Sequence, residues 1–309
     1  MITARALLSR LDIKYQGCHQ IDATYKLTKN SFPLIVLART DAKHQVHPTV
    51  FCLTSHEQES DFHDFYTRVL SETISSNKKF TPEYIVQDAW NASYNAAINL
   101  FPDVKILMCY FHHLENMHMS IDSNDLRKNF ELFKDYSKKN CPEFYYYFKN
   151  SWLQGRYRYW QIYNKPIGYE STNSPLESFN RSIKRIHTKK KRLSVLNFVK
   201  LMVSMARYYS MNQKTYFEDP EPNAKCKKFG NRYAKEQYFI KLDRDRWQFK
   251  FKETHVIKRS TQHCTCKYFV KSGVCGHLLA LNRLCKSDEF VNKPKRSGQK
   301  KSKNALIRD

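Results

Sequence analysis

The chain has 309 residues, with 53 Lys+Arg against 29 Asp+Glu, 41% hydrophobic and 14% aromatic content. That composition supplies a core and excludes a wholly disordered chain, and no stretch approaches the roughly 18 uninterrupted apolar residues of a membrane helix. Nine cysteines, most of them scattered singly, argue against a secreted disulfide framework and for a reducing compartment.

The net charge of +24 is unevenly spread: residues 1–120 hold 11 basic and 12 acidic side chains, residues 121–309 hold 42 and 17. An excess confined to one part of a chain fits a polyanion, because each neutralised phosphate releases condensed counterions. A merely solvated basic surface is the bland alternative. Nucleic acid is the leading partner class, and no membrane is expected.

The first hundred residues read as α/β. Gln20–Leu27 alternates, with Ile21, Ala23, Tyr25 and Leu27 on one face and Asp22, Thr24 and Lys26 on the other, which predicts a half-buried strand. Phe32–Ala38 is an apolar run suited to a central strand, and Thr49–Thr54 makes a third; short connections predict that the three run antiparallel. Helical spacing over Glu59–Ile74, a short strand Glu83–Asp88, an Ala-rich helix Asn91–Leu100 and a strand Lys105–Cys109 complete one α/β series. Residues of about 115–170 read as a helical, aromatic-rich insertion, followed by a further helical stretch Pro175–Tyr209. Residues 213–235, polar with Pro220 and Pro222, read as a linker. Residues 236–290 form a small Cys/His unit, and 291–309 a basic tail expected to be unfolded.

The strongest local signal is Cys264-Thr-Cys266 followed by Cys275-Gly-His277. Two C-x-C and C-x-H pairs can close a tetrahedral zinc site, and four protein ligands leave no open position, so the site is expected to be structural. A domain of about fifty residues buries little apolar surface, so a metal clip would supply much of its folding energy. The pattern resembles the SWIM-type zinc finger, which implies a nucleic-acid or protein interaction module.

Three acids occupy suggestive places. Asp22 is on the polar face of the first strand, Asp88 ends the fourth, and Glu177 begins a helix. Each has an ordinary explanation: a solvated strand face, an N-cap for the following helix, and a capping box with Ser174. Their surroundings add weight. Asp22-Ala-Thr-Tyr-Lys, Phe32-Pro33-Leu34, Gln87-Asp88, Ala96-Ala97-Ile98 before Phe101-Pro102, Cys109-x-x-His112 and Thr172–Asn180, in that order, resemble the Mutator-like (MULE) transposase domain over about residues 18–210.

The resemblance implies a ribonuclease-H-like mixed sheet with a helical insertion within residues 1–212. It also implies an Asp-Asp-Glu triad at Asp22, Asp88 and Glu177, with Cys109 and His112 as an accessory element. Hard carboxylate ligands suit magnesium or manganese. The implied activity is metal-dependent DNA strand cleavage and strand transfer, with homo-oligomerisation on DNA left open. Arg181 and Lys184 share the Glu177 helix face at i+4 and i+7, where they could hold a phosphate, and Lys189, Lys190, Lys191 and Arg192 are further phosphate contacts or a nuclear-import signal. Leu176, Phe179, Ile183 and Ile186 form the opposing apolar stripe. The aromatic-basic stretch 144–163 reads as insertion core in preference to a base-stacking surface. The chain begins about twenty residues before Asp22, where the family usually carries an end-recognition domain. A catalytically inactive, transposase-derived DNA-binding or regulatory protein therefore remains the second reading.

Overall fold

The computed structural model describes residues 1–12, 17–108 and 123–285. It divides into two compact units, Met1–Glu221 with Thr265–Val274, and Pro222–Cys264 with the segment beginning at Cys275. Among the described residues no helix is long and apolar enough to cross a membrane.

The first unit is built on a five-stranded mixed sheet. Strands β1 (Cys18–Thr24), β2 (Leu34–Thr40) and β3 (Val46–Leu53) form an antiparallel meander. Helix α1 (Glu59–Ser75) then crosses to β4 (Tyr84–Gln87), and α2 (Asn91–Leu100) leads to β5 (Lys105–Met108). The strand order is β3-β2-β1-β4-β5, with β4 parallel to β1 and β5 parallel to β4. This is the ribonuclease-H-like mixed sheet expected from the sequence, and the three-strand antiparallel start is as the short connections require.

β2 is buried along its whole length, which explains its unbroken apolar run Leu34–Ala38. One face of the sheet packs Ile35, Leu37 and Val50 against Phe62, Phe65, Tyr66 and Val69 of α1 and Ala96 and Ala97 of α2. The other packs Leu34, Val36, Ala38 and Phe51 against Leu176, Ile183, Phe198 and Met202.

Helices α3 (Ser123–Asn140) and α4 (Pro142–Phe148) lie in the expected insertion. Its Phe148, Trp152, Tyr157 and Trp160 join the first core face, with Trp160 edge-on to Phe148 at 6.0 Å and to Trp152 at 6.2 Å between centroids. These four rings are core, the preferred reading of the stretch, whereas its Phe144, Tyr146 and Tyr147 are exposed. Helix α5 (Ser174–Ser182) runs into a π-helical turn, Ile183–His187, and α6 (Val195–Met211) follows.

The segment 213–235 is more than a linker. It contains helix α7 (Ala224–Tyr233), whose cap Asn223 accepts from the Cys226 N–H at 2.9 Å. A four-stranded antiparallel sheet follows: β6 (Phe239–Lys241), β7 (Arg246–Lys250), β8 (Thr254–Lys258) and β9 (His263–Cys264). The described residues close with α8 (Lys267–Ser272) and α9 (Gly276–Leu284). Helices α7 and α9 approach closely through two glycines: a Cβ on Gly230 would meet Leu279 Cβ at 2.8 Å, and one on Gly276 would meet Phe229 Cβ at 2.7 Å. The expected tail, 291–309, lies outside the described residues.

Candidate active site and metal centre

Asp22 sits near the end of β1, and Asp88 directly follows β4. The parallel register His19↔Ile85 and Gln20↔Val86, continued by two residues, sets Asp22 level with Asp88. Both line one cavity of about 190 Å³, together with Tyr25, Glu57, Gln87 and Ser93. Glu177 comes from the first turn of α5 and lies within electrostatic reach of Asp22. Burial, then the Asp88 carboxylate, pushes Asp22 up to about 7; Glu177 adds to the rise while the Asn180 donor opposes it.

Helix α5 and the two residues before it are tied to β1 by three amides. Asn180 Nδ2 donates to Asp22 Oδ2 at 2.8 Å, Asn173 Nδ2 donates to the Ile21 carbonyl at 3.0 Å, and Gln20 Nε2 donates to the Thr172 carbonyl at 2.7 Å. The loop before the helix is organised by Glu170. Its Oε1 accepts from Ser171 N–H, Thr172 N–H and the Thr172 hydroxyl at 2.9, 3.1 and 2.9 Å, and its Oε2 meets His44 Nδ1 at 2.6 Å. Burial alone would raise Glu170, but His44 and these donors outweigh it and hold the carboxyl at about 2.

The ordinary roles offered by the sequence are not taken up. Helix α2 is capped at Trp90 without a side-chain cap, so Asp88 does not cap it. Ser174 is the first residue of α5 and Asn173 its cap, while Glu177 faces Arg181 at 3.7 Å. Asp88 Oδ1 and Glu177 Oε1 are both buried without a hydrogen-bond partner. Two orphaned carboxylate oxygens beside a third carboxylate are a donor set that a hard divalent cation fits. The three acids nevertheless do not form as compact a group as the Cys/His cluster below, the one cluster of this kind among the described residues.

Glu57 was not foreseen. It precedes α1 in a loop, so no periodicity marks it, yet its Oε1 is buried without a partner in the cavity of Asp22 and Asp88. Burial pushes its carboxyl up, Tyr25 lowers it, and Asp61 and Asp88 raise it.

The proposed phosphate contacts are partly gathered. Arg181 and Lys184 line a cavity of about 500 Å³ with Arg185, Lys190, Ser178 and Ser182. The apolar stripe opposite them is shorter than expected: Leu176 and Ile183 are fully buried, but Ile186 is 58% exposed. The π-helical turn adds a residue to the spiral and rotates Ile186 out of phase. Lys189, Lys191 and Arg192 lie on the adjoining exposed turn, where Lys189 and Lys190 both take left-handed φ, 50° and 61°. Cys109 and His112 fall outside the described residues.

Cys264, Cys266, Cys275 and His277 do converge: their ligand atoms all lie within 4.8 Å of one another. A tetrahedral zinc with Zn–S near 2.3 Å has ligand–ligand edges of roughly 3.8 Å, and Cys264 Sγ lies 3.9 Å from His277 Nδ1. All three thiols are buried. Phe269 N–H donates to Cys266 Sγ at 3.3 Å and Leu278 N–H to Cys275 Sγ at 3.4 Å, contacts that favour thiolates and fix their direction. The His277 ring is stacked on Tyr233 at 5.3 Å and packed on Phe249 at 4.3 Å. The site could hold zinc, and this C-terminal Cys/His cluster is compatible with a SWIM-type finger.

Residues 18–116 match the MULE transposase domain family. No curated protein matches the chain. The domain match supports a transposase-like function and suggests DNA as a partner.

Proposed function

We propose that the chain cleaves DNA strands and transfers them to target DNA, with Asp22, Asp88 and Glu177 as its acidic triad and the Cys/His unit as a zinc-held accessory module. The observation that carries this reading is the pair of buried oxygens without a hydrogen-bond partner, Asp88 Oδ1 and Glu177 Oε1, near the adjoining ends of β1 and β4, where Asp22 also lies. Asp22, Asp88 and Glu177 would hold magnesium or manganese, which when bound supplies Lewis-acid stabilisation of phosphoryl oxygens during in-line displacement.

The chain's own residues account for the rest. Asn180 holds the Asp22 carboxylate by its Oδ2 and, through α5, fixes Glu177 relative to β1. Arg181 and Lys184 offer charge-assisted donors to the phosphate next to the cut. The cation-rich turn 189–192 would extend that contact along the strand, and the same run would serve as a nuclear-import signal, in keeping with work on DNA in the nucleus.

The test is a manganese-supported nicking and strand-transfer assay on the purified chain, beside Asp22→Asn, Asp88→Asn and Glu177→Gln. Wild type should cut, and each variant should lose at least about a hundredfold, while DNA binding persists. A wild type as inert as its variants, yet still binding DNA, leaves the non-catalytic DNA-binding reading in its place.

A further inference from the structure

The cationic cavity beside Glu177 does not stand alone. Ser178 and Ser182, one helical turn apart on α5, line it and also line a second, larger cavity of about 650 Å³ within the same unit. The two cavities differ in chemistry. The walls of the first are hydroxyls and four cations, Arg181, Lys184, Arg185 and Lys190, with no carboxylate among them. The second is faced by rings: Phe179, His187, Tyr208 and Tyr209, flanked by Arg10 and Lys214.

The rings are fixed in place. Tyr209 OH lies 3.1 Å from His187 Nε2, Tyr209 packs on Phe179 at 5.3 Å, and Tyr208 stands edge-on to Tyr209 at 5.1 Å. Tyr208 itself is 54% exposed, an open aromatic face in a concavity. Burial lowers the His187 pKa, which keeps its ring neutral and suited to stacking at neutral pH.

We propose that these two cavities, on either side of the shared Ser178 and Ser182, form a binding groove for single-stranded DNA, phosphates on the cations and an unpaired base on the Tyr208 face. Four cations, of which among the described residues only Arg181 faces a carboxylate, Glu177 at 3.7 Å, select a polyanion. An exposed ring selects a base whose π-face is free, which a duplex does not offer, since its bases cover one another. The inference rests on the cleavage reading for its choice of DNA, because Arg181 borders both Glu177 and the groove.

The experiment is fluorescence anisotropy of the full chain with a labelled single-stranded oligonucleotide and with the duplex of the same sequence. Tyr208→Ala should weaken single-strand binding about tenfold and leave duplex binding within about twofold, and Tyr208→Phe should restore wild-type affinity. Arg185→Gln with Lys190→Gln should weaken single-strand binding and flatten its salt dependence by roughly 0.7 per lost phosphate contact. Equal losses on both oligonucleotides, or none on the single strand, would overturn the groove. Equal or tighter binding of RNA of that sequence would overturn the assignment to DNA. Asp88→Asn separates the two readings: it should abolish cutting and bind single strands like wild type. A wild type that cuts while Tyr208→Ala binds normally sinks the groove alone.

Discussion

The two sites of this chain are assembled in opposite ways. The Cys/His group draws its four ligands from fourteen consecutive residues, 264–277, and needs only β9, α8 and the first turn of α9 to bring them together. The acidic group draws Asp22, Asp88 and Glu177 from across the sequence and depends on a parallel strand register and three amide contacts to α5 and the two residues before it. A local site couples its ligand to folding; a long-range site inherits its geometry from a fold that is already stable. Removing a ligand should therefore unfold the first and only silence the second.

That contrast is tested hardest by Cys275→Ser. It removes a buried thiolate that also accepts the Leu278 N–H. Structural zinc contributes roughly 10 kcal/mol or more to folding in peptides of this kind. The Cys/His segment should lose its metal and its cooperative transition, followed by zinc content and by the near-ultraviolet signal of Trp247. Asp88→Asn should leave zinc and melting unchanged while cleavage disappears. A Cys275→Ser protein with stoichiometric zinc would contradict the ligand assignment and erase the contrast.

How far the sequence is legible follows the same division. Cys264, Cys266, Cys275 and His277 are readable because their spacing is itself the geometry. β2 is readable because its unbroken apolar run is the pattern that burial on both faces enforces. The alternation of Gln20–Leu27 is not a burial pattern, since β1 is the central strand and ends at Thr24, Gln20 and Thr24 are buried, and Tyr25 is 43% exposed. Helix α7 was hidden inside a supposed linker because what settles it there is distant, the approach of Gly230 and Gly276 to Leu279 and Phe229. Asn223 as cap and the Cys226, Phe229 and Tyr233 spacing were the available signals. Ile186 departed from its stripe because a π-helical turn breaks the 3.6-residue period that the stripe assumed. Glu57 carried no signal at all, since a loop residue gains its place only from the packed sheet.

A smaller effect sharpens the picture of the acidic site. Asn180 favours the ionised Asp22 by donating to it, so Asn180→Ala should push the Asp22 carboxyl above its already raised value of about 7. The acidic limb of the pH–rate profile for cleavage should move to higher pH, with activity down several-fold near pH 7 and largely recovered near pH 9. A uniform loss at every pH would assign Asn180 to holding α5 in place and not to the charge of Asp22.

The smallest effect concerns the loop that leads into α5. Glu170 is held at about 2 against an ordinary 4.5, so the folded state binds its proton less readily than the unfolded chain does. Its contribution is fully present above about pH 4.5 and is lost as pH falls through about 2. Glu170→Gln should lower the Tm of the larger unit by about 4 °C at pH 7, and the gap to wild type should narrow below pH 4.5 and nearly close by pH 2. Because the loop carries Thr172 and Asn173, both bonded to β1, the variant should also loosen Glu177 and weaken manganese binding at pH 7 modestly, leaving zinc untouched. A Tm gap that stays constant down to pH 3 would mean that the loop is held by the shape of Glu170 and its neighbours, and that the charge facing His44 contributes nothing to keeping the third acid in reach of the other two.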